Sequence, residues 1–217
     1  MSTDDGVVRA TALDTPDRRF AARLSGRPSA ESLQRRLATR ESEHLTTALA
    51  AVLDTGSVPR AAALVVAARR RYVTGTAKSF GYATLLAGDL AVGLSHVTLV
   101  DDATVPDLDV LAEVVSTDVL VAFSFRRYRR ETLGFAREFA RAGGSLVAIT
   151  DSSDAPIAEH AEVTIAVDTE SASYADSPTA VVAVGHILAA LAASSAKGAR
   201  RRIAARDRLS RDLNLYL

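Results

Sequence analysis

Five short apolar runs, each closed by a polar turn and separated from the next by a helical stretch, constrain this chain more than any other feature. They cover residues 72–74, 97–100, 119–123, 146–149 and 163–167, and end at Gly75, Asp101-Asp102, Ser124, Thr150-Asp151 and Asp168-Thr169. Strands that are apolar at successive positions are buried on both faces, as in a parallel sheet. The stretches between them, about 79–93, 106–115, 130–142 and 155–160, carry helical spacing. Alternating β and α segments predict an α/β fold: a three-layer α/β/α sandwich on a five-stranded parallel sheet, with right-handed crossovers.

Helices are added at both ends. Leu33, Leu37, Leu45, Leu49, Val52 and Leu53 recur at helical steps, with Ser29 placed to cap the start and Gly56 to stop the helix. A short helix fits 59–68. A last helix begins near Pro178, with Ser177 as its cap, and runs through Val181, Val184, Ile187, Leu188 and Leu191. Residues 1–28 show no sustained apolar period and read as a flexible segment, residues 29–196 as the main domain, and 197–217 as a basic helical tail. Residues 197–212 hold seven basic side chains against two acidic ones.

The chain has 26 basic and 26 acidic residues, so no global charge marks it for nucleic acid. Absence of cysteine excludes disulfides, thiolate catalysis and Cys-ligated metals. Charges from Asp4 to Arg19 interrupt any leader-like apolar stretch, and no 18-residue uncharged apolar run is present. A soluble, cytoplasmic protein without membrane contact is expected. No His, Asp or Glu spacing suggests a metal, and no cofactor is expected.

Parallel α/β sheets bind ligands beyond the carboxyl ends of their strands. After the first run, Gly75-Thr76-Ala77-Lys78-Ser79 leads into a helix; a turn, two hydroxyls and a lysine at a helix start suit a phosphate. The same residues also serve as a plain turn and cap. They are not a Walker loop, which needs Gly-Lys-Ser/Thr, nor a dinucleotide fingerprint, because Ala77 stands where a second glycine would. After the third run come Ser124, Arg126, Arg127, Arg129 and Arg130, then Thr132. Cations at a helix N-terminus oppose its dipole, which favours an anion nearby over a merely solvated charge run.

Taken in order, these loops resemble the SIS (sugar isomerase) domain, a phosphosugar-binding module with a flavodoxin-like fold. The turn from Gly75 to Ser79, "DVLVAFS" with its following Thr132, and "VAITDSSDAPIAEHAEVTI" are similar to its successive segments. "AFSFRRYRRET", "AITDS" and "DSPTAVVAVGHILAAL" resemble the ligand-binding half of RpiR/MurR-type transcriptional regulators, over roughly residues 42–195. The resemblance implies a sugar phosphate held at the strand ends and between subunits. Ser79 and Ser124 would bind phosphate, and Thr132 would fill the last polar position of the second segment. Gly75, Thr76, Lys78, Arg126, Arg127 and Ser177 complete the candidate ligand set. Arg126 and Arg127 stand where the family's second segment has Ser and Gly, so a guanidinium takes the place of a hydroxyl donor. The helix-turn-helix that precedes this module in the regulators has no counterpart pattern here, so sequence-specific DNA binding is not expected.

Isomerisation of a phosphosugar needs a base beside the carbonyl, usually Glu or His. Glu170, after the fifth run, and His186, on the last helix, are the candidates; His186 is expected in the core or at a subunit contact. Ser124 lacks the flanking glycines of a hydrolase nucleophile elbow. Three readings follow: a non-catalytic phosphosugar sensor or binding protein, an aldose–ketose phosphosugar isomerase, and an interaction protein or RpiR-like fragment that has lost its ligand. The apolar first and last helices predict a homodimer or homotetramer.

Overall fold

A computed structural model describes residues 15–26 and 28–216. Helices α1 (Pro16–Leu24), α2 (Ala30–Thr55) and α3 (Ser57–Ala67) lead into the α/β unit. That unit runs β1 (Arg70–Gly75), α4 (Lys78–Gly93), β2 (Val97–Val100), α5 (Asp107–Glu113), β3 (Asp118–Ser124), α6 (Arg130–Arg141), β4 (Ser145–Thr150), a 3₁₀ turn (Ala158–His160) and β5 (Val163–Ala166). Helices α7 (Thr179–Ser195) and α8 (Ala199–Asp212) follow. The sheet is all parallel, in the order β2-β1-β3-β4-β5.

Side chains leave successive strand positions on opposite faces, so each buried strand feeds two cores. From β3, Val119, Val121 and Phe123 join α2, α3, α4 and α7, while Leu120 and Ala122 join α5 and α6. All seven β3 residues are buried, as a central parallel strand requires. Ser29 caps α2, its hydroxyl accepting from Ser32 N–H at 3.2 Å. Gly56 ends the helix at φ +62°, a left-handed conformation that favours glycine.

Several expectations are corrected. Of the segment read as flexible, residues 1–14 and 27 lie outside the described residues, but Pro16–Leu24 is a helix. It buries no side chain. Polar contacts hold it: Arg19 pairs with Asp176, and Arg23 donates to the Ser171 and Ser173 carbonyls. The first strand is longer than 72–74. Its two charged residues are satisfied, Arg70 by Asp118 and Arg71 by the carbonyls of Val65, Val66 and Ser95. The stretch 155–160 forms only the 3₁₀ turn. The last helix stops at Ser195, and α8 leaves it at 105°. Among the described residues no single helix is long and apolar enough to cross a membrane.

Candidate ligand site

Strand order reverses at β1. The chain passes from β1 to β2 on one side and returns to β3 on the other, so the loops after β1 and β3 diverge at the carboxyl edge. Between them lies a cleft of about 540 Å³. Its walls come from four segments: the β1–α4 loop, the β3–α6 loop, Thr169 and Asp176 after β5, and Pro16 and Arg19 of α1.

The β1–α4 loop is tight. A Cβ on Gly75 would lie 2.7 Å from the Ser79 carbonyl oxygen, so only glycine lets the first turn of α4 come this close. Ala77 sits at φ +54°, ψ −122°, a conformation costing a non-glycine residue about 1–3 kcal/mol. Thr76, Lys78 and Ser79 line the cleft, and Thr76 Oγ1 is hydrogen-bonded to Thr132 Oγ1 across the strand ends.

On the β3 side, Ser124 ends the strand and is 3% exposed. Its hydroxyl is buried without a hydrogen-bond partner among the described residues, on the cleft wall. Such a group costs free energy unless something occupies the cleft beside it. Arg126, Arg127 and Arg129 follow. Arg126 Nε lies 3.5 Å from Asp151 Oδ2. Tyr82, Phe123 and Phe125 form an aromatic floor, with ring centroids 6.0 and 5.9 Å from Tyr82. Burial, with the Asp176 carboxylate second, pushes the Tyr82 phenol up to about 12, so it stays protonated and able to donate. Burial and then Arg19 pull the Lys78 ammonium down against the opposing effect of Asp176 and Glu41; it donates to the Asp176 carbonyl.

Seven of the sequence-derived ligand candidates line this one cleft: Thr76, Lys78, Ser79, Ser124, Arg126, Arg127 and Thr132. Gly75 instead borders a second, acidic cleft of about 360 Å³ with Asp101, Asp102, Asp107 and Glu131, beyond the Thr76–Thr132 contact. Ser177 is 2% exposed and turned away: its hydroxyl donates to Glu41 and accepts from Thr179 N–H at 3.2 Å. Burial raises the Glu41 carboxyl, but the Ser177 and Thr179 hydroxyls and the nearby His44 and Lys78 charges outweigh it, leaving a net depression. Ser177 thus ties α2 to α7.

Neither base candidate lines the cleft. Glu170 borders a separate opening with His44 and Arg40, beside α1 and α2. The side chain of His186 is 75% exposed on α7, with Nδ1 3.4 Å from Asp89 Oδ2, which corrects the core alternative and leaves the subunit contact as the other expectation. Sequence reasoning missed Arg19, Tyr82 and Asp176 as lining groups. Tyr82 lies one turn beyond Ser79 and was open to detection by helical spacing; Arg19 carried no local signal. Among the described residues no cluster of three or more His, Cys, Asp or Glu side chains could hold a metal ion.

A family model described as the SIS domain matches residues 64–193. The sugar isomerase domain of an RpiR transcription factor from Sphaerobacter thermophilus superposes with a TM-score of 0.73 at 24% identity, over 81% of this chain and 98% of that one. The Vibrio vulnificus NanR protein complexed with ManNAc-6P gives 0.67 at 14% identity, over 84% and 74%. E. coli CFT073 c3406 in complex with a phosphosugar gives 0.57 at 21% identity, over 76% and 92%. These structures share the fold. No curated protein matches the sequence.

Proposed function

We propose, from the premise that this chain belongs to the SIS domain family, that its cleft binds a phosphorylated sugar and that the protein acts as a non-catalytic sensor or binding protein. The observation that carries this reading is the Ser124 hydroxyl, buried and unpartnered among the described residues, in a cleft rimmed by arginines. A phosphoryl oxygen beside it would supply the missing acceptor. Ser79 and Lys78 stand at the start of α4, where backbone N–H groups and the helix dipole add to the attraction for an anion. Two structures of the same fold hold phosphosugars, ManNAc-6P in one of them. Among the described residues the cleft lining contains no histidine or glutamate, and its one carboxylate, Asp176, is paired with Arg19, which favours binding over proton abstraction.

Thermal-shift screening against a panel of sugar phosphates is expected to find stabilising ligands. Ser79→Ala and Ser124→Ala are each expected to weaken the best of them about tenfold to a hundredfold by calorimetry, equivalent to about 1.5–3 kcal/mol for a hydrogen bond to a charged group. Unchanged affinity in both variants would remove the assignment. Leu53 on α2, Leu85 on α4 and Val182 on α7 remain exposed, which supports a homodimer or homotetramer, and light scattering reports that state directly.

A further inference from the structure

The cleft carries more positive charge than a single phosphoryl group calls for. Among the described residues five cationic side chains line it, Arg19, Lys78, Arg126, Arg127 and Arg129, against the one carboxylate of Asp176. Asp176 pairs with Arg19, and Asp151, just outside the lining, stands 3.5 Å from Arg126 Nε. Among the described residues no carboxylate lies within ion-pair distance of Lys78, Arg127 or Arg129. Helices α4 and α6 also begin here, adding about half a positive charge each from their N-termini. Four other acidic groups of this region, Asp101, Asp102, Asp107 and Glu131, are gathered in the neighbouring cleft across the Thr76–Thr132 contact. The positive excess is therefore local and one-sided.

A phosphate monoester brings a charge of about −1.5 to −2 at neutral pH. Set beside Ser79, Ser124 and Lys78, it leaves Arg127 and Arg129 uncompensated on the β3 side. Arg129 is the N-cap residue of α6 and Arg127 lies two positions before it, so both guanidinium groups oppose the helix dipole at a cost that no capping side chain offsets. A second anion relieves that cost, and guanidinium forks match carboxylate and phosphate oxygens equally well.

Building on the phosphosugar reading, we propose that the ligand is a phosphosugar with a second anionic group, either another phosphoryl or a carboxylate. Its first phosphoryl sits on the Ser79 and Ser124 side, and its second anion on Arg127 and Arg129.

The test titrates the full chain calorimetrically, at constant ionic strength, with matched pairs. These are fructose 6-phosphate against fructose 1,6-bisphosphate, ribose 5-phosphate against ribose 1,5-bisphosphate, and glucose 6-phosphate against 6-phosphogluconate. At least one doubly anionic member is expected to bind tenfold or more tightly than its partner; the bisphosphate and aldonate arms tell which anion is read. The Arg127→Gln/Arg129→Gln variant is expected to weaken both members of a pair, and the doubly anionic member at least tenfold more, so that the gain between them is lost. Arg200→Gln/Arg201→Gln, on exposed α8, is expected to change nothing, which separates site recognition from general attraction. Equal affinity within every pair overturns this inference and leaves the phosphosugar reading standing. A gain that survives in the Arg127/Arg129 variant also overturns it. No binding of any phosphate ester by the folded protein overturns both.

Discussion

Replacing Arg70 with alanine is expected to cost the folded state about 3–5 kcal/mol, the usual penalty for leaving a buried charge without its partner. Asp118 is the buried charge: its side chain is fully enclosed where β3 begins. Arg70 Nη2 donates to Oδ2 at 2.7 Å, its Nε reaches both carboxylate oxygens at 3.1 Å, and Val115 N–H donates at 3.0 Å. Burial alone would raise the Asp118 carboxyl; Arg70 and that N–H overcome it and hold the group below the ordinary carboxylate value. A depressed folded-state pKa contributes stability that is present above the unfolded value of about 3.9 and is lost as pH falls through the folded value. In Arg70→Ala burial is no longer outweighed, so the carboxyl rises and neutralising it relieves the fold. The stability gap between wild type and variant should therefore narrow as pH falls from 7 to 3 in urea unfolding. A gap under about 1 kcal/mol, or one that ignores pH, would contradict this account. Binding at the opposite edge of the sheet should survive wherever the variant remains folded.

At that opposite edge, Gly75→Ala is expected to lower ligand affinity at least tenfold and stability by about 1–3 kcal/mol. The new methyl would meet the Ser79 carbonyl oxygen at 2.7 Å and its carbonyl carbon at 2.8 Å. Both are backbone atoms of the first turn of α4, so relief requires moving the turn that presents Lys78 and Ser79 to the cleft. Two positions along, Ala77→Gly should act in the other direction. It removes the cost of φ +54° and is expected to raise the melting temperature by about 2–4 °C for each net kcal/mol gained, after the extra chain entropy of glycine is subtracted. Calorimetric titration and thermal melts of both variants check the pair. Undiminished affinity in Gly75→Ala would mean that the turn does not hold the ligand.

The sheet was legible because its signal is local and repeated. Residues such as Val119 to Phe123 are apolar at every step, β-branched or aromatic in the main, and closed by a polar turn, as a strand covered on both faces is. Gly75 and Ser124 were legible as strand ends, and Ser79 and Thr132 as the helix starts that follow them, since a parallel sheet places all its carboxyl ends on one edge. The charged start of β1 was not legible, because Arg70 and Arg71 are tolerated only through partners at Asp118 and at carbonyls elsewhere. The same holds for α1, whose contacts run from Arg19 and Arg23 to residues about 150 positions away. Ser177 looked like a ligand group until its hydroxyl was seen to donate to Glu41 on α2.

By itself the sequence determined the parallel sheet, its flanking helices and the edge that carries the candidate cleft, because hydrophobic period and turn chemistry act between near neighbours. Only the tertiary structure decided which polar groups face the cleft and which are consumed by other partners. It turned Ser124 in and Ser177 away, brought Arg19 to Asp176 and left Glu170 and His186 outside. Hydrogen bonds and ion pairs between distant segments make those choices, and such contacts leave no periodic trace in the chain.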